Sequence, residues 1–80
     1  MAFCIQVIKS DENDKFVFYK YKDTADESYG LIKLNKKTGD VFEEILSKQD
    51  PHGSKAQRAG WAILKSWTKG EIPCETWWES

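Results

Sequence analysis

Residues 51–70 read PHGSKAQRAGWAILKSWTKG, and within them apolar side chains return at the spacing of a helix. They fall at i, i+3, i+4, i+7, i+8 and i+11 and form one stripe, which predicts an amphipathic helix over about 54–69. The residues of the stripe are Ala56, Ala59, Gly60, Ile63, Leu64 and Trp67. Ser54 and Gln57 match a capping box at the start, and Gly70 suits the left-handed position after the end.

Before residue 50 the sequence follows the period of two that strands show. Runs rich in β-branched and aromatic residues predict strands at about 2–9, 15–22, 29–35 and 41–46. Glu43 and Glu44 leave a helix start over 41–46 as an alternative. Because consecutive strands usually pair, we expect an α+β fold: a four-stranded antiparallel meander with the helix packed on one face. A single domain covers 1–80 and ends in a Trp-rich tail.

The bulk composition argues against several classes of protein. A formal net charge of -1 does not fit a generally basic nucleic-acid binder, since phosphate binding needs clustered Lys and Arg. The chain has no basic leader and no apolar run as long as a membrane span. Cys4 and Cys74 lie far apart in sequence, which fits a reducing compartment. We therefore expect a cytoplasmic protein without a membrane segment.

Catalytic and metal-binding patterns are not recognisable in the sequence. His52 is the only histidine, which removes most metal-site patterns. The acidic run 11–14 lacks the ligand spacing of a calcium loop, and 37–39 lacks the glycines of a phosphate loop. We therefore expect no catalytic residues, no metal and no cofactor, and we expect that the chain is not an enzyme.

Basic residues of the helix project away from its apolar stripe. They are Lys55, Arg58, Lys65 and Lys69. One interpretation is a solvated face, with Lys65 and Lys69 favoured by the dipole near the helix C-terminus. The other is a surface for an acidic partner or a nucleic-acid backbone.

Trp61 lies well outside the apolar stripe, although tryptophan is usually buried to a large extent. One interpretation is structural, with Trp77 and Trp78 folding back after Pro73 to cover it. The alternative is an exposed anchor at a partner interface, where tryptophan is common among energetically dominant residues.

The second predicted strand interleaves aromatic rings with lysine. Alternation puts Phe16 and Phe18 on one face, which we expect to pack against the helix. Tyr19 and Tyr21 then lie on the outer face, where Lys33 joins them if the register allows. Such a face is a stacking platform for bases, a dimer seam or an ordinary β surface.

From Tyr29 onward the chain carries Tyr29-Gly30, Thr38-Gly39-Asp40 and the pattern Leu-Lys-x-Trp-x-x-Gly-x-x-Pro-x-x-x-x-Trp-x-Ser. The matching residues are Ala56, Ala59, Leu64, Lys65, Trp67, Gly70, Pro73, Trp78 and Ser80. In these residues the chain resembles a family of small uncharacterised bacterial proteins. The resemblance implies a bacterial origin and carries over no activity and no site residues.

Together these features favour a non-enzymatic module that binds itself, as a homodimer, or another protein. The candidate interaction surface comprises Tyr19, Tyr21, Lys33, Trp61, Trp77 and Trp78. The alternative is a nucleic-acid-binding module that uses the basic helix face or the second strand.

Overall fold

One antiparallel sheet and one helix make up the described part of the chain, residues 4–79 of a computed structural model. The strands are β1 (Cys4–Glu12), β2 (Phe16–Asp23), β3 (Gly30–Asn35), β4 (Val41–Ile45) and β5 (Glu75–Glu79), and the helix is α1 (Ser54–Trp67). The strand order is β4-β3-β2-β1-β5. The α+β class and the four-stranded meander with one helix are therefore confirmed. Residues 1–3, where the first predicted strand begins, and Ser80 of the C-terminal pattern lie outside the described residues.

A fifth strand is the part of the sheet that the sequence did not predict. The chain turns back after Pro73, and β5 pairs antiparallel with β1. The Lys9 N–H donates to the Cys74 carbonyl at 2.8 Å, and the Tyr19 hydroxyl donates to the Pro73 carbonyl at 2.9 Å. These long-range bonds attach the C-terminal segment to the sheet.

Side-chain alternation along β2 decides which side of the sheet is the core. Tyr19 and Tyr21 are fully buried on the side of α1. Phe16 and Phe18 are only partly buried and lie on the opposite face. The prediction that the two Phe pack against the helix and the two Tyr lie outside is therefore wrong. The physical reason is that Lys20 shares a face with the two Phe, and lysine is almost never fully buried.

The core lies between the sheet and α1. Its largest fully buried side chains are Tyr19, Tyr21, Ile5, Ile32, Leu34, Ile63, Val7 and Val17. Each fully buried aliphatic side chain contributes roughly 1.5–3 kcal/mol. Ala56 and Ala59 are also buried, and their small size lets the helix approach the sheet closely.

The start of α1 is capped by a residue outside the helix. The N-cap residue Gly53 has a φ of 75° and no side chain with which to cap. Asp50 replaces it, because its Oδ1 accepts the N–H of Lys55 at 3.0 Å and its Oδ2 accepts the N–H of Ala56 at 2.9 Å. The predicted capping box at Ser54 is wrong, since Ser54 is already helical and its hydroxyl donates to Asp50 at 3.3 Å.

The β3–β4 turn packs against the C-terminal end of α1. Gly39 has a φ of 78°, a left-handed conformation that glycine adopts without strain. A Cβ at this position would lie 2.7 Å from the Trp67 ring, so the ring packs directly on the glycine. The Trp67 indole N–H donates to the Lys36 carbonyl at 3.0 Å. Gly39 thus closes the β3–β4 turn against the helix, and the helix ends at Trp67.

Because Tyr19 and Tyr21 are buried, the free energy of unfolding depends on pH in the alkaline range. Desolvation raises the pKa of Tyr19 and of Tyr21 from 10.0 to about 12. Because the folded pKa lies above the unfolded one, the stabilisation is complete below pH 10 and is lost as the pH rises through about 12. We expect the free energy of unfolding, measured with urea, to fall steeply over this range.

A Tyr19→Phe/Tyr21→Phe variant is the control for this pH dependence. It loses hydroxyl hydrogen bonds and is less stable at neutral pH. Its stability should nevertheless change less above pH 10, because the two titrating groups are gone. Equal losses in both proteins would assign the alkaline sensitivity to other groups, such as lysines.

Candidate functional site

One helix cannot cover a five-stranded sheet. A helix with its side chains is about 10 Å wide, whereas five strands that each occupy about 4.8 Å make a sheet roughly 24 Å wide. Helix α1 packs mainly on β5, β1, β2 and β3. The sheet face opposite α1 and one groove on each side of the helix therefore stay accessible.

The sheet face opposite α1, which we call the open face, is rich in apolar side chains. They are Ile8, Phe16, Phe18, Leu31, Phe42, Ile45 and Trp77. The exposed fraction is 44% for Phe42, 60% for Ile45 and 44% for Trp77. Leu31 pairs with Ile45 in the strand register, so the side chains from β3 and β4 adjoin. Exposed apolar side chains that lie together are typical of an interaction site.

Among the described side chains of the open face, positive and negative charges are balanced. The basic residues are Lys20, Lys22 and Lys33, and the acidic ones are Asp11, Glu44 and Glu75. Lys33 lies there beside Phe18, so the prediction that it joins Tyr19 and Tyr21 on one face is wrong. Its ammonium lies 2.7 Å from the Glu44 carboxylate and 4.7 Å from the centroid of the Phe16 ring. A cation held over a ring in this way is attracted by the π electrons.

The tryptophans of the predicted surface are divided between two faces of the sheet. Trp78 is partly buried against the core, and its ring centroid lies 5.5 Å from that of Trp61. Trp61 remains 46% exposed, so the C-terminal segment contacts it without covering it. Trp77 points the other way, onto the open face.

Lys55 does not belong to an outward basic face. Its side chain is only 15% exposed and forms an ion pair with Asp26, while Asp23 lies 4.0 Å away. The acidic loop between β2 and β3 lies beside the start of α1 and brings these carboxylates to it. The predicted basic face is therefore wrong at this residue, because charge attraction folds the lysine onto the domain.

The other basic residues, in α1 and directly after it, have different surroundings from Lys55. Arg58 donates to the Ser54 carbonyl at 3.1 Å. Lys65 and Lys69 are exposed and border the groove between α1 and β5.

A second groove lies between α1 and the edge strand β4. It measures about 280 Å³, and its lining includes Asp40, Glu43 and Trp61. Gly60 lies close to Val41, since a Cβ on the glycine would be 3.1 Å from the valine Cγ1.

Among the apolar residues of the open face, only Trp77 belonged to the surface predicted from the sequence, and Tyr19 and Tyr21 were expected in place of Phe16 and Phe18. The sequence of β2 does indicate which of its two sides faces solvent. The alternate positions that carry Phe16 and Phe18 continue into Lys20, and a lysine identifies the solvent side of a strand. Phe42 and Ile45 carried no such signal, because a bulge in the β3–β4 pairing breaks the alternation between them.

Within residues 4–79, no group of three or more His, Cys, Asp or Glu side chains is arranged to hold a metal ion. In the same range, no helix has the length and apolar character needed to cross a bilayer. No protein-family model, curated protein or solved structure matches this chain. The resemblance to small bacterial proteins stays a prediction.

Proposed function

We propose that this domain is a non-enzymatic interaction module that forms a homodimer through the open face. The observation that carries the proposal is the group of apolar side chains on the face that α1 leaves uncovered. Free thiols at Cys4 and Cys74 support a reducing, cytoplasmic setting.

Balanced charge favours a second copy of the chain as the partner. A two-fold interface places the same patch on both sides, so each basic residue needs an acidic residue within the same patch. Lysines on β2 and β3 and acidic residues on β1, β4 and β5 meet this condition. A nucleic-acid backbone would instead require a net positive face.

The size of the open face fits a stable but modest interface. Five strands of about six residues give a backbone face of roughly 24 by 20 Å. Protruding side chains add further area to it. A standard interface buries about 800 Å² per partner, which is of the same order once the side chains are included.

Both sheet edges disfavour pairing between strands of two copies. The edge strand β5 reads Glu-Thr-Trp-Trp-Glu. Antiparallel pairing centred on Trp77 would place Glu75 opposite Glu79 of the second copy, and like charges in such pairs destabilise. At the other edge, the irregular β3–β4 register twists β4 away from a flat partner. The open face therefore remains the better surface for self-association.

Sedimentation at several protein concentrations tests the proposal. We expect a concentration-dependent monomer–dimer equilibrium in the unmodified protein. Phe42→Ser with Ile45→Ser removes two exposed apolar side chains and should weaken dimerisation at least about tenfold, because each loses on the order of 1 kcal/mol or more of apolar burial.

Trp61→Ser is the matched control, since Trp61 is as exposed as Phe42 but lies on the helix side. It should leave the equilibrium unchanged. A monomer at all concentrations, or a loss of dimer with Trp61→Ser alone, would contradict the proposal. Oligonucleotide binding that weakens steeply with salt and with Lys20→Ser would support the nucleic-acid alternative instead.

A further inference from the structure

The groove between α1 and β5 differs from the open face in its chemistry. It measures about 530 Å³ and lies between one side of α1 and the edge strand β5. The helix contributes Ala62, Lys65 and Ser66 to its lining, the turn after the helix contributes Lys69, and β5 contributes Thr76, Trp77 and Trp78. Its volume falls within the roughly 300–1,000 Å³ that small-molecule sites occupy.

Hydrogen-bond donors in this groove have no partner within the described residues. The Trp78 indole Nε1 is buried and makes no hydrogen bond. The structure describes no ion pair for Lys65 or Lys69, and none of the described hydrogen bonds involves the Ser66 or Thr76 hydroxyl. The lysine and hydroxyl donors are therefore available to a ligand, whereas the Trp78 Nε1 has almost no accessible surface.

Nothing in the described lining of the groove opposes a negative charge. No acidic residue lines it. The carbonyls at the C-terminal end of α1 are also occupied by donors: Leu64 by the Thr68 N–H, Ser66 by the Lys69 and Glu71 N–H groups, and Trp67 by the Gly70 N–H. The negative end of the helix dipole is therefore partly satisfied, and the lysines add positive charge next to it.

We propose that this groove binds a small organic oxyanion, a carboxylate or a phosphate carried on an apolar body. Lys65 and Lys69 attract the charge, and the Ser66 and Thr76 hydroxyls donate to its oxygens. The Trp78 indole offers an apolar wall for the body of the ligand. The groove lies on the helix side of the sheet and adjoins the open face at Trp77, which also lines it.

Titration by NMR, followed at the indole N–H signals of the tryptophans, tests this site. The probes are benzoate, phenyl phosphate, inorganic phosphate and the neutral benzyl alcohol. We expect benzoate or phenyl phosphate to shift the Trp78 indole signal saturably. Inorganic phosphate should bind more weakly because it lacks the apolar body, and benzyl alcohol should not saturate the site. Stronger binding of phenyl phosphate than of benzoate would identify a phosphate ligand, and the reverse a carboxylate.

Lysine variants locate the binding. Lys65→Gln with Lys69→Gln should weaken it about tenfold or more, since a charge-assisted hydrogen bond contributes more than a neutral one. Lys37→Gln with Lys48→Gln changes two exposed lysines that do not line the groove and should have no effect.

Three results would overturn the proposal. They are the absence of any saturable shift, equal weakening by the two lysine pairs, and binding of benzyl alcohol as tight as that of benzoate. Performing the titration on the Phe42→Ser/Ile45→Ser variant keeps the result independent of self-association.

Discussion

Replacing Asp50 with alanine should lower the free energy of unfolding by about 3–4 kcal/mol. The residue is 2% exposed, and its Oδ2 accepts the Tyr21 hydroxyl at 3.1 Å as well as the N–H of Ala56. Its Oδ1 accepts the N–H of Lys55. Loss of the carboxylate leaves these donors without acceptors in a buried site, at about 1–3 kcal/mol each, partly offset by relaxation. Loss of a helix cap alone costs about 1 kcal/mol.

An effect of this size is a large part of the total stability. A chain of 80 residues has a free energy of unfolding of roughly 4–12 kcal/mol. Urea denaturation followed by tryptophan fluorescence measures the change. Asp14→Ala is the matched control, because Asp14 is exposed and none of the described hydrogen bonds involves its side chain. If both variants lose the same small amount, Asp50 does not cap the helix.

Replacing Gly30 with alanine should cost about 3 kcal/mol or more, although alanine adds one methyl group. A Cβ at this position would lie 2.2 Å from Tyr21 Cε1 and 2.5 Å from its hydroxyl oxygen. The ring cannot move away freely, since it is fully buried and its hydroxyl also accepts the Ser47 N–H at 3.2 Å. Overpacking of a core costs typically 1–3 kcal/mol, and displacement of the ring also strains its hydrogen bonds.

Gly70→Ala separates this steric effect from loss of backbone freedom. Gly70 has a φ of 80°, and a Cβ at this position would have nothing within 4 Å, so its replacement should cost only about 1 kcal/mol. Combining Gly30→Ala with Tyr21→Leu should cost less than the sum of the two single changes, because the smaller side chain makes room. Strict additivity would mean that the Tyr21 ring does not pack on Gly30.

The packing of Tyr21 on Gly30 also shows why the core was not predicted from β2 alone. Lys20 indicates which side of β2 faces solvent, but the local sequence does not show what the tyrosine side packs against. Tyr21 is buried because its ring covers a glycine on β3 while its hydroxyl reaches Asp50 near the helix. Asp50 lies 29 positions away in the sequence, so this contact arises only in the folded chain.

The local sequence by itself determined the helix and the four strands of the meander. The change from a period of two to a helical period placed α1, and polar breaks separated the four strands of the meander. Gly39 marked the β3–β4 turn because only a left-handed residue closes it without strain. These features depend on residues that are close together in the sequence, so they do not require contacts of the tertiary structure.

Only the tertiary structure decided which surfaces are available for binding. Whether β5 joins β1 depends on contacts across tens of residues. The same contacts bury Lys55 against Asp26 and leave Lys65 and Lys69 beside a groove. The physical reason is geometric: one helix covers part of a wider sheet, and only the assembled fold defines the open face and the grooves that remain.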